Sequence, residues 1–90
     1  MGIAAIIVKI MPESPSTDLE EIKKEAKIKL EKEGAMNLSF ENRPIAFGLI
    51  AVIAKFAWKE EKSTDIVDSL LSSIPHVASA VIEDYRRAFG

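Results

Sequence analysis

The sequence predicts an α+β fold in which one four-stranded antiparallel sheet carries two helices on a single face. Three observations support this. Runs rich in isoleucine, valine and alanine, with strand character, cover residues 4–11, 49–58 and 77–86, and a weaker alternating run covers 35–41. Helical periodicity covers residues 18–33 and 63–74. Proline, glycine or charged turns punctuate the boundaries, so the elements follow the order strand-helix-strand-strand-helix-strand.

The first strand ends at Pro12, and the turn Met11-Pro12-Glu13-Ser14-Pro15-Ser16 holds two prolines that forbid helix continuation. Thr17-Asp18-Leu19-Glu20 has the pattern of a capping box, with Thr17 at the cap and Glu20 three residues on. The helix that follows extends to about Glu33. It places Leu19, Ile22, Ala26 and Leu30 on one stripe and stops at Gly34. Ile28 falls opposite that stripe and is expected at the surface. Met36, Leu38 and Phe40 alternate with polar residues, as in a half-exposed strand.

The run 49–58 is the strongest strand signal. Lys59-Glu60-Glu61-Lys62 reads as a charged turn, and Ser63-Thr64-Asp65 opens a second helix bearing Ile66, Val67, Leu70, Leu71 and Ile74. Pro75 ends that helix. A last strand runs from Val77 to about Arg86, leaving Arg87-Ala88-Phe89-Gly90 as a tail.

Two crossovers through helices with a hairpin between them give the ferredoxin-like βαββαβ sandwich, with the first and third strands central. Alternation then points Ile6, Val8, Ile10, Ile50, Val52 and Ala54 toward the helices. It sends Ala5, Ile7, Lys9, Ala51, Ile53 and Lys55 to the open face.

Ninety residues, 48% of them apolar, suffice for one domain spanning 1–90 with its own core. With no cysteine, disulfides, Cys-type zinc sites and thiolate catalysis are excluded. A formal net charge of −2 disfavours binding to bulk nucleic acid, which calls for a basic footprint. The longest apolar run is too short to span a bilayer, and the N-terminal run is broken at Lys9 without a basic stretch before it. The expectation is a cytoplasmic protein with no membrane contact, monomeric when free.

No Gly-rich phosphate loop, nucleophile elbow or HExxH is present, and no pattern pairs two acids for proton transfer. No catalytic residue, metal ligand or cofactor is therefore assigned. The lone His76 lies in a turn without a second ligand. The charges between Glu20 and Glu33 alternate in sign, as on the solvated side of a helix.

The stretch Arg43-Pro44-Ile45-Ala46-Phe47-Gly48 stands out. A hairpin needs only a short polar turn, yet this connection carries a proline, an aromatic ring and a glycine. Two placements are open for Phe47: tucked beneath the sheet edge, or projecting as an anchor for a partner. The tail residues Arg86 and Arg87 stand beside Glu83 and Asp84. They serve either in local ion pairs or in recognition of a phosphate or carboxylate on a partner. Such a fold has other uses. Single-stranded RNA binding calls for rings on the central strands, where this sequence has alanine, isoleucine and lysine. A small-molecule regulatory module would dimerise through its sheet.

Taken together, Ile7-Val8-Lys9-Ile10-Met11-Pro12-Glu13-Ser14-Pro15, Asp18-Leu19-Glu20, Pro44-Ile45-Ala46-Phe47-Gly48-Leu49 and Asp84-Tyr85-Arg86-Arg87 resemble archaeal elongation factor 1-beta. The likeness spans nearly the whole chain. It extends to the C-terminal domain of the eukaryotic beta subunit, which carries a Pro-Ile-Gly-Phe-Gly segment at the corresponding place. The resemblance implies a guanine nucleotide exchange factor in protein biosynthesis whose partner is the GTPase elongation factor 1-alpha. It assigns partner contact to Phe47 in its loop with Pro44, Ile45 and Gly48. It also places a basic residue, Arg87 or Arg86, toward the Mg2+ and phosphate site, where the eukaryotic relatives carry lysine. The expectation is an outward aromatic wedge with a cation near it.

Overall fold

The computed structural model describes residues 2–89. The elements are β1 (Ile3–Pro12), α1 (Leu19–Lys32), β2 (Met36–Pro44), β3 (Ile50–Lys59), α2 (Asp65–Ser72) and β4 (Val77–Phe89). They form one antiparallel sheet in the order β2-β3-β1-β4. The expected ferredoxin-like α+β arrangement is borne out, with β1 and β3 central.

Alternation works as expected on the helix side. Ile6, Val8 and Ile10 of β1 and Val52, Ala54, Phe56 and Trp58 of β3 meet Ile22, Ala26 and Leu30 of α1 and Val67 and Leu71 of α2 in one core. Fully burying a side chain of the size of Ile or Leu contributes roughly 1.5–3 kcal/mol, so this layer holds the fold together. Phe56 and Trp58 meet edge to face, with ring centres 5.8 Å apart. The Lys62 ammonium lies 4.9 Å above the Trp58 ring and also donates to the Glu33 carbonyl at the end of α1. One lysine thus caps a helix and covers the largest buried ring.

Four expectations need correcting. The N-cap of α1 is Asp18, whose Oδ1 accepts from the amides of Glu20 at 3.0 Å and Glu21 at 3.4 Å. Thr17 Oγ1 instead accepts from the Ser14 amide in the preceding turn. The second strand runs on to Pro44, a position that an edge strand tolerates because no ladder hydrogen bond is lost. The predicted tail joins β4 as far as Phe89, paired to the start of β1, while Gly90 lies outside the described residues.

Finally, Ala51 and Ile53 point away from the helices yet are fully buried. Arg43 on β2 donates through Nη1 to both carboxylate oxygens of Glu83 on β4, at 3.0 and 3.1 Å. Since β3 and β1 lie between those edge strands, the pair bridges the open face. Arg43 stands opposite Ala51 and Glu41 opposite Ile53, so these long side chains shield the small apolar ones beneath.

Candidate functional site: an aromatic turn and a terminal arginine

The connection between β2 and β3 is tighter than the sequence suggests. Arg43 and Pro44 are in register with Ala51 and Ile50, so only Ile45–Leu49 leave the ladder. The Ile45 amide donates to the Leu49 carbonyl at 2.8 Å, and the Leu49 amide donates to the Ala46 carbonyl at 3.1 Å. At the tip, Phe47 has φ 59° and Gly48 has φ 77°. Positive φ at both central residues is the signature of the mirror-image turn that matches the twist of a hairpin.

Glycine fills its position without strain. A phenylalanine there is an outlier, because its Cβ crowds the carbonyl at a cost of roughly 1–2 kcal/mol. The strained residue is also the most exposed large apolar side chain described, at 95%. Between the two placements left open by the sequence, the outward one is found. Ile45 is also exposed, and Pro15 of the β1–α1 turn stands beside Gly48, so a Cβ there would lie 3.9 Å from the proline ring. The ring projects from a hairpin whose flank is stiffened by Pro44 and backed by Pro15.

Arg86 and Arg87 pair with Ala5 and Ala4 and therefore point to opposite faces of the sheet. On the open face, Arg86 Nε meets Asp84 Oδ2 at 2.9 Å. On the helix side, Arg87 Nε donates to Glu60 Oε1 at 2.8 Å, in the turn between β3 and α2.

The expectation of a terminal arginine near the wedge does not hold. Val52, two residues past the pair that closes the hairpin, pairs with Ile10, whereas Arg87 pairs with Ala4. Eight strand residues at about 3.3 Å each separate the two levels, so the guanidinium groups lie roughly 25 Å from the aromatic turn. The reason is topological. The β2–β3 turn lies at the end of β1, while β4, antiparallel to β1, finishes at its beginning. The candidate residues form two sites, one at each end of a molecule 41 Å long.

Elsewhere the surface offers little chemistry. Glu41 pairs with Lys55 at 2.9 Å on the open face, and the hydrogen bond from Lys55, with its charge, holds the Glu41 carboxyl below the usual glutamate value of 4.5. Among the described residues no three His, Asp or Glu side chains gather as metal ligands would, and no helix is long and apolar enough to cross a membrane. Two groups escaped the sequence reading: the Arg43–Glu83 bridge and Glu60. The bridge joins residues 40 positions apart, and Glu60 is one acid among the four charges of its turn.

Comparison with known proteins shows the family. Residues 5–87 match the family described as the EF-1 guanine nucleotide exchange domain. The chain belongs to the elongation factor 1-beta family. It is 36% identical over 88 residues to an elongation factor 1-beta of Methanothermobacter thermautotrophicus, covering 97% of this chain and 98% of that protein. It is 39% identical, with the same coverage, to one from Methanocorpusculum labreanum. A relative from Metallosphaera sedula is 38% identical over 79 residues, 86% of each chain. Membership carries a nucleotide exchange role in translation elongation.

Proposed function

We propose that this chain promotes exchange of GDP for GTP on elongation factor 1-alpha, contacting the GTPase at both ends of its sheet. The observation behind this reading is Phe47, held outward on a strained turn. Strain at an exposed apolar residue lowers stability without any return inside the molecule, which points to a role outside it.

A GTPase holds its nucleotide through phosphate contacts and a bridging Mg2+. An exchange factor must bind the nucleotide-free state better than the loaded one, since a ligand shifts an equilibrium only by its differential affinity. Speeding GDP release a thousandfold requires lowering the barrier by ~4 kcal/mol. A buried aromatic anchor at an interface contributes roughly 2–4 kcal/mol. Pro44, Ile45 and Gly48 shape the base of that anchor. At the far end, Arg87 presents positive charge to the Mg2+ and phosphate site, with Arg86 on the other face as the alternative contact. Repulsion of the metal and competition for its ligands supply the rest.

Linkage makes the effect reciprocal, so GTP binding expels the factor. No covalent bond changes, and the protein acts as an exchange factor, not an enzyme, in the cytoplasm. RNA binding is disfavoured because the central strands present no ring on the open face, which the Arg43–Glu83 bridge crosses. The deciding experiment follows release of a fluorescent GDP analogue from purified elongation factor 1-alpha. Release accelerates when this protein is added; an unchanged rate at saturating concentration refutes the proposal.

A further inference from the structure

We infer that Glu60 is a positioning residue for exchange, gripping Arg87 by Nε and aiming the rest of its guanidinium outward. The inference rests on the proposed action of Arg87 on the GTPase. Its structural basis is the asymmetry of the contact. The Glu60 side chain is only 15% exposed, whereas that of Arg87 is 76% exposed. The more enclosed partner holds the more exposed one.

Glu60 Oε1 takes the Nε–H of Arg87 at 2.8 Å. A guanidinium has five N–H donors in a rigid fork. With Nε–H engaged, the end-on pair of N–H donors carried by the two terminal nitrogens stays available, in the geometry that suits a phosphate or carboxylate. A free arginine at a strand end would sample many rotamers and lose that freedom on docking. A pre-oriented one loses less.

The other carboxylate oxygen strengthens the assignment. Glu60 Oε2 is buried without a hydrogen-bond partner among the described residues. It belongs to a cleft of about 440 Å³ lined by Lys62, Ser63, Thr64, Asp65, Ile82 and Tyr85. A half-satisfied buried carboxylate is unfavourable for folding, and an uncharged residue at this turn would avoid it. Glu60 bears that cost while its other oxygen holds Arg87. Lysine could not fill this role at position 87, because a single ammonium cannot be gripped at an inner nitrogen while presenting two outer ones.

The test measures GDP release from elongation factor 1-alpha with the wild-type protein, Glu60→Ala, Glu60→Gln, Arg87→Ala and the double variant Glu60→Ala/Arg87→Ala. Melting curves establish that each is folded. The saturating release rate falls roughly tenfold in Glu60→Ala, while the concentration for half-maximal effect changes little because the aromatic end is intact. Glu60→Gln, which keeps an acceptor for Nε–H, falls between wild type and Glu60→Ala. In the Arg87→Ala background, removal of Glu60 has no further effect. Equal losses in both backgrounds, or a Glu60→Ala protein as active as wild type, overturn the positioning role while leaving the exchange function standing. A folded wild-type protein that fails to accelerate release overturns the exchange function, and this inference with it.

Discussion

Replacing Phe47 by asparagine moves stability and activity in opposite directions. Phe47 adopts φ 59° ahead of Gly48, and its side chain is 95% exposed. Folding therefore gains nothing from the ring and bears the left-handed penalty. Asparagine tolerates that region, and Asn-Gly is the favoured pair for such a turn. Phe47→Asn should stabilise the domain by ~1 kcal/mol, the lower part of the left-handed cost. For a domain of this size that raises Tm by roughly 4–8 °C. The same change removes the proposed interface anchor. A loss of about 2–4 kcal/mol at the rate-limiting step slows factor-dependent GDP release about 30- to 900-fold. Phe47→Ala serves as control, since alanine keeps the strained φ: its melting temperature stays near wild type while exchange collapses. The assays are a circular-dichroism melt and fluorescent GDP release. A drop in Tm for either variant would show that the ring stabilises its own chain. Retained exchange in Phe47→Asn would show that the partner ignores it.

Three further expectations follow from the same geometry. Arg87→Ala should slow release chiefly when Mg2+ is present; equal losses with and without Mg2+ would sink the metal-displacement role. Lys62→Met should lower stability by roughly 1–2 kcal/mol, from the lost contact over Trp58 and the uncapped Glu33 carbonyl, with exchange per folded molecule unchanged. The third concerns pH. Glu41 has a lowered folded pKa because of Lys55, so its contribution is complete above the usual value of 4.5 and is lost as pH falls through the lowered one. A carboxyl NMR titration should show Glu41 moving up toward that usual value in Lys55→Met, and no movement would refute the assigned cause.

Much of the fold was legible because each local signal agreed with the whole. The isoleucine and valine positions of β1 and β3 assign the helix face correctly, and Gly34, with φ 99°, ends α1 as read. Ile28, opposite the buried stripe, is exposed. The misreadings have three physical causes. Thr17 and Asp18 are both good caps, and sequence alone does not tell which oxygen reaches the helix amides. The course of β4 was hidden by register shifts against β1, between Ile7 and Val8 and between Ile3 and Ala4, which break the two-residue alternation. Ala51 and Ile53 lie on the face crossed by the Arg43–Glu83 pair, a contact between distant residues that no local pattern encodes. At the candidate site, the residues of the turn were legible but the strain at Phe47 was not. The separation of the two ends was implicit in the order of elements, since a hairpin turn and the final strand's terminus fall at opposite ends of such a sheet.

That separation has a mechanical consequence. The interval between turn and terminal arginine is fixed by main-chain pairing along four strands, and no change of side chain can lengthen or shorten it. On the function proposed above, the domain is a gauge block with a contact point at each end. A GTPase whose lobes stand at different spacings with and without nucleotide would fit the block in one posture and miss it in the other. Discrimination between nucleotide states would then come from the stiffness of the factor, with the flexibility left entirely to the protein it measures.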